Sequence, residues 1–241
     1  MEKKAGQCGR VDGLLSERMR RTAALVTRGN RTADVGCDHA YTSIYLVQHG
    51  IAPHVIAMDI NAGPLARAKE NVVRFGMEGQ IELRQSDGLA ALAPEEAETI
   101  LIAGMGGPLA ERILSAFPGT LAAVKELVLQ PQSEVAEVRR FFHRAGFCIT
   151  AEDMVSEDGK YYVMLRAGHG TEEPWAEEEY LYGKRLTADA VSVLGEFLKE
   201  ERVKTEALLQ ELALAGTEKS VKRREELLLR LEQNLCRMKA L

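Results

Sequence analysis

Glycine is scarce in this sequence at the place where a nucleotide-binding chain is usually richest in it. Within Thr32-Ala33-Asp34-Val35-Gly36-Cys37-Asp38-His39-Ala40-Tyr41 a short apolar strand (Ala33, Val35) meets a tight turn at Gly36 and the start of a helix. Joints of this kind, at the carboxyl edge of a parallel sheet, bind nucleotide-like ligands. A dinucleotide site uses G-x-G-x-x-G so that the backbone can approach a pyrophosphate. Asp38 holds the second glycine position here. Its negative charge repels phosphate and favours a ligand that carries positive charge.

Other absences narrow the class further. No apolar run reaches the roughly 20 residues that span a bilayer, so no membrane partner is expected. The opening Met1-Glu2-Lys3-Lys4-Ala5-Gly6-Gln7 has no apolar stretch behind its lysines and does not read as a secretory signal. The four cysteines (Cys8, Cys37, Cys148, Cys236) form no C-x-x-C pair. They read as free thiols in a reducing cytoplasm, with neither a disulfide framework nor a metal site. A net charge of −5 argues against a protein that coats nucleic acid. Residues 1–31 nevertheless carry Lys3, Lys4, Arg10, Arg18, Arg20, Arg21, Arg28 and Arg31 against Glu2, Asp12 and Glu17. That basic excess fits an anionic partner or a solvated helix face equally well.

What is present is an alternation of strands and helices. Ser16–Arg28 has an apolar helical stripe and ends at Gly29-Asn30; a helix over Ala40–Gln48 follows the first strand. His54–Asp59 is an apolar run of the kind that lies between two helical layers, and the helix after it starts at Asn61-Ala62-Gly63-Pro64. Ile81–Arg84, Thr99–Ala103 and Leu127–Pro131 supply three more strands, with helices over Pro108–Phe117 and Glu134–Ala145. Asp158-Gly159 predicts a hairpin between Phe147–Val155 and Tyr161–Leu165. The pattern is that of an α/β, Rossmann-like open sheet with right-handed crossovers and an antiparallel edge. Gly168–Pro174 reads as a linker, dividing a domain over 1–167 from one over 168–241. The second is rich in Glu, Lys, Arg and Leu at helical spacing, with a break at Gly216-Thr217, and predicts an antiparallel hairpin of two long helices, residues 176–214 and 218–239. Such a hairpin serves a partner, self-association or structure alone. The sequence leaves the oligomeric state open, a monomer included.

Acids stand at the ends of three successive strands. Asp34 and Asp38 flank the first turn; Asp59 ends the second strand, 25 residues after Asp34, where a carboxylate accepts from ribose hydroxyls. Asp87-Gly88 follows the third strand, where a carboxylate can accept from an adenine amino group. S-adenosylmethionine, with an ammonium and a sulfonium, suits this set. Gly104-Met105-Gly106-Gly107 ends the fourth strand and has no side chain able to act as a base. Its glycines either let a flat acceptor approach the backbone or simply start a helix. An acceptor with its own lone pair, such as a ring nitrogen, needs only alignment with the methyl carbon. His39 caps a helix or orients Asp38, and Tyr41 stacks on a base or packs in its own turn.

These motifs, with Leu129-Gln130-Pro131 and Glu157-Asp158-Gly159-Lys160, resemble the bacterial TrmK family, the tRNA (adenine(22)-N(1))-methyltransferases. The resemblance is strong from Leu14 to Leu165 and architectural in the helical tail. Thr42-Ser43 replace the family's usual Leu-Pro, and Cys37 stands where Ser or Thr is commoner. It implies a class I methyltransferase domain with S-adenosylmethionine as donor and N1 of a tRNA adenosine as acceptor. It places Asp34, Gly36, Asp38 and His39 on the first cofactor loop, Asp59 and Ile60 at the ribose, and Asp87-Gly88 at the adenine. Asp38, Gly104, Met105 and Gly106 would then serve the transfer, while Arg10, Arg18, Tyr41 and Gly107 would meet the tRNA. The competing readings are a methyltransferase for a small molecule or protein, a non-catalytic tRNA- or protein-binding module, and a nicotinamide oxidoreductase, which Asp38 and the missing glycines disfavour.

Overall fold

The computed structural model describes residues 9–213 and 218–241. Lys3, Lys4, Cys8 and the Gly216-Thr217 break lie outside the described residues. The first helix, α1 (Glu17–Ala24), starts where Ser16 accepts a hydrogen bond from the Met19 amide. It stops four residues before the Arg28 expected from its apolar stripe. The Thr27 amide and hydroxyl both donate to the buried Glu126 carboxylate, at 2.8 and 2.6 Å, which pulls the chain out of helical geometry.

Strand β1 (Thr32–Val35) is followed by α2 (Tyr41–Gln48), β2 (Val55–Asp59), α3 (Ala62–Arg74), β3 (Ile81–Gln85) and β4 (Thr99–Met105). Then come α4 (Gly107–Ser115), α5 (Pro118–Ala123), β5 (Glu126–Pro131), α6 (Val135–Arg144), β6 (Phe147–Glu157) and β7 (Lys160–His169). The short α5, begun by Pro118, was not expected. The strands form one sheet in the order β3-β2-β1-β4-β5-β7-β6. The first five are parallel, while β7 runs antiparallel to both β5 and β6. Asp158 and Gly159 turn between β6 and β7 with φ of 51° and 71°, the doubly positive geometry that Asp-Gly adopts in a hairpin.

The expected three layers are present. Val35, Ile100, Ile102, Leu129 and Phe142 form the core beneath α4 to α6; Ile44, Leu46, Ala57, Leu101 and Met164 form that beneath α1 to α3. The chain runs from β1 outward to β3 and then returns to β4 on the other side of β1. This reversal leaves a crevice at the carboxyl ends of β1 and β4.

The boundary expected at 167/168 falls inside β7, which continues to His169 because Gly168 pairs with Glu126 and Cys148. Trp175 and Tyr180 pack into the main core. A short helix, α7 (Glu177–Tyr182), then precedes the long pair α8 (Ala188–Ala213) and α9 (Glu218–Lys239). Arg139 and Glu152, 1% and 0% exposed, pair at 2.7 Å beneath this joint. Arg139 also donates to the carbonyls of Tyr180 and Leu181, and Glu152 accepts from the amides of Lys184 and Arg185. Met154, Tyr182, Leu194 and Leu198 complete the attachment.

Candidate active site

The four parallel strand ends meet around a trough of two chambers. One, of about 450 Å³, is walled by Asp59, Ile60, Ser86, Asp87 and Gly88 on the β2 and β3 side, and by Leu109, Ile113 and Phe117 from the far side. The other, of about 470 Å³, is walled by Asp34, Cys37, Asp38, His39 and Tyr41, with Arg18 and Met19 of α1 above and Ala103-Gly104-Met105 beside them. Gly36, Asp59 and Met105 border both chambers. Gly36 has φ +76°, and the Met105 methyl lies where a Cβ on that residue would project. Only glycine fits the turn.

Asp34 is the most constrained acid. It is 3% exposed, and the Ser43 hydroxyl donates to its Oδ2 at 2.6 Å. Burial raises its pKa to about 6, against that hydrogen bond. No cation pairs with it among the described residues. The same desolvation, with the charges of Asp34 and Asp59 nearby, pushes the Cys37 thiol up, so it stays protonated. Asp59 accepts from the Asn61 amide at 2.8 Å through Oδ1, and its Oδ2 has no hydrogen-bond partner among the described residues. Ile60, half exposed, is fixed through its carbonyl by Gln85. Ser86 bridges the Gly88 carbonyl and the Ala91 amide, holding the Asp87 loop against β3.

Asp38 occupies the lip, not the floor. Its φ is +46° and its side chain is 63% exposed, with His39 at 3.6 Å and Arg67 at 3.8 Å. The Arg67 guanidinium offsets part of the field expected of it. His39 stacks on Tyr41 with ring centroids 5.6 Å apart and planes 13° from parallel, and its carbonyl accepts from buried Asn71. The pair and Gly104 line the same chamber.

The glycine loop divides into two parts. Gly104 and Met105 line the second chamber, whereas Gly106 and Gly107 form the entry to α4. A Cβ on Gly107 would lie 2.7 Å from the Ser133 carbonyl oxygen, so this glycine seats the helix and does not reach the trough. Arg10 is exposed and also borders neither chamber. Arg18 does enter the second chamber: Nη1 donates to Gln130 Oε1 at 2.6 Å, and the guanidinium lies over the Tyr162 ring at 4.8 Å. Sequence reasoning missed two features. One is the apolar wall Leu109, Ile113 and Phe117, legible afterwards as a four-residue repeat. The other is what Gln130 of β5 touches: Leu129-Gln130-Pro131 stands out in the sequence, but its contacts with Arg18 and Gly104 do not. Among the described residues no group of three His, Cys, Asp or Glu is arranged to hold a metal ion, and no helix is long and apolar enough to cross a membrane.

This sheet order, with an acid-lined trough that ends at an unpaired buried carboxylate, defines the chain as a class I, S-adenosylmethionine-dependent methyltransferase. Residues 15–165 match the family model described as a methyltransferase domain. The chain is 32% identical over 224 residues to the tRNA (adenine(22)-N(1))-methyltransferase of Bacillus subtilis, covering 90% of this chain and 94% of that one. A crystal structure of the B. subtilis m1A22 tRNA methyltransferase superposes with a TM-score of 0.81 at 30% identity, over 93% of this chain and 98% of that one. A Streptococcus pneumoniae protein described as a putative m1A22 tRNA methyltransferase, in complex with S-adenosyl-L-methionine, gives 0.81 at 32% identity over 93% and 99%. The chain belongs to the tRNA (adenine(22)-N(1))-methyltransferase family.

Proposed function

We propose that this chain methylates N1 of adenosine 22 in tRNA, in the cytoplasm, and that the two chambers hold the two halves of S-adenosylmethionine. The cofactor supplies an electrophilic methyl group on a sulfonium. Asp59, Asp87 and the apolar wall of α4 suit the adenosine, with the free Asp59 oxygen facing the ribose. Asp34 suits the ammonium. The observation that carries the reading is that carboxylate: buried, held by the Ser43 hydroxyl, and without a cation among the described residues. A dinucleotide would bring phosphate to the same place, where Asp34 and Asp59 would repel it.

The residues around Gly104 then have a positioning task. Adenosine N1 attacks with its own in-plane lone pair, so alignment does the work of a base. The Tyr41–His39 wall and the exposed backbone of Gly104 leave a slot for a planar ring. N1 lies on the pairing edge, so the nucleotide must be unpaired or turned out to enter it. The product ring is cationic, and Asp34, Asp38 and Asp59 lower the cost of that charge.

For the tRNA body, Arg10 beside α1 and the exposed Lys219, Lys222, Arg223 and Arg224 of α9 offer phosphate contacts. Each such contact should add close to one to the slope of log affinity against log salt. Incubating the protein with methyl-labelled S-adenosylmethionine and, in parallel, bulk tRNA or a tRNA-free metabolite extract tests the reading. Label in the tRNA alone is the expected result; label only in the extract would replace tRNA by a small-molecule acceptor.

A further inference from the structure

We propose that Gln130 is a positioning residue for methyl transfer, fixing at once the acceptor-side backbone at Gly104 and the guanidinium of Arg18. The proposal rests on the methyltransferase reading and adds to it a residue that touches neither cofactor nor base. Its origin is a fault in the sheet. Ala103 pairs with Gln130 and Met105 with Pro131, so Gly104 is an extra residue between two successive ladder partners, at φ +79°. A bulged residue of this kind loses its ladder hydrogen bond. The Gln130 side chain replaces it: Oε1 accepts from the Gly104 amide at 3.2 Å.

The same oxygen accepts from Arg18 Nη1 at 2.6 Å, and Nε2 donates to the Pro131 carbonyl at 3.1 Å. Gln130 is fully buried, so no water competes for these bonds. Arg18 depends on it heavily, because its Nε is buried without a hydrogen-bond partner. One amide therefore joins α1, which roofs the second chamber, to the bulge that forms its side. Moving it would shift Gly104 and Arg18 together. Glutamine is suited to the place because one oxygen can serve two donors while the nitrogen anchors the group on β5.

The test compares the full-length parent with Gln130→Leu, which keeps bulk but removes the acceptor, and Gln130→Glu, which keeps the acceptor oxygen but loses the donor to Pro131. Displacements of about 1 Å near a reacting centre cost on the order of 100-fold. Gln130→Leu should therefore lower kcat about 10- to 100-fold while calorimetric S-adenosylmethionine affinity stays within about threefold. The Gly104 amide should exchange with deuterium faster in Gln130→Leu, and Gln130→Glu, with an acceptor but no donor for the Pro131 carbonyl, should recover only part of kcat and protection. If Gln130→Leu does not fold, Gln130→Asn, one methylene too short to serve both donors, takes its place with the same expectations. Parent-like kcat, or slow Gly104 exchange in the substituted protein, would overturn the proposal. A parent that methylates no tRNA would instead strike the functional reading, and the Gly104 exchange comparison would still decide the role of Gln130.

Discussion

Two of the protein's buried carboxylates are met in opposite ways, and the contrast separates its fastening from its chemistry. Glu152, under the joint between sheet and tail, is met by Arg139 and by the amides of Lys184 and Arg185. Asp34, under the trough, has Ser43 and no cation among the described residues. A buried charge with a full set of partners is a fixed part of the fold, whereas one left short favours a ligand that completes the set. The first joins the tail to the sheet. The second is the carboxylate proposed to meet the ammonium of the methyl donor.

The comparison can be broken most forcefully at the fastener. Arg139→Ala leaves Glu152 buried and alone, and should cost about 3–5 kcal/mol in chemical denaturation. Arg139→Met combined with Glu152→Leu should return most of that loss, because the joint needs filled volume once neither charge remains. Equal losses in the single and double variants would mean that the pair contributes no more than packing.

Asp34→Asn should act the other way, leaving the fold intact and weakening S-adenosylmethionine binding about 30- to 1000-fold by calorimetry, the scale of removing one partner of a buried charge pair. The pH dependence carries the same sign. Folding raises the Asp34 pKa to about 6, so ionisation is disfavoured in the folded protein, and stability without ligand should decline as pH rises through about 6. A cationic ligand needs the ionised form. Affinity should therefore fall up to about tenfold per unit as pH drops below about 6, and Asp34→Asn should flatten that slope.

The smallest effect belongs to Asp38. Asn keeps its positive φ accessible, so Asp38→Asn isolates the charge; with Arg67 and His39 beside it and most of the side chain in water, cofactor affinity and turnover should change less than about tenfold. A loss matching that of Asp34→Asn would place Asp38 in the floor of the site after all.

The contrast also marks what was legible in the sequence. The open, mostly parallel sheet, its antiparallel edge and the acids at the strand ends follow from local patterns of apolar runs and turn residues. Asp34, Gly36, Asp59 and Asp87 could therefore be placed at one edge before any coordinates. Burial was not legible in the same way. Nothing adjacent to Asp34 or Asp38 says that one is enclosed and the other at the lip, since that depends on Ser43 from α2 and Arg67 from α3. Arg139 and Glu152 meet only in three dimensions, and with them went the tail joint and the true end of β7. Gly106 and Gly107 share a motif with Gly104, yet the Ser133 carbonyl assigns Gly107 to helix packing. Gln130 was visible as a polar residue within a buried strand, but its partner is a bulge that only the register reveals.

If this trough aligns a cationic methyl donor with adenosine N1, mass spectrometry of tRNA nucleosides and oligonucleotides, after incubation with the protein and S-adenosylmethionine, should show it. A single new 1-methyladenosine at position 22 is expected, reduced strongly by Asp34→Asn. Methylation at another atom or position, or none in any tRNA, would contradict it.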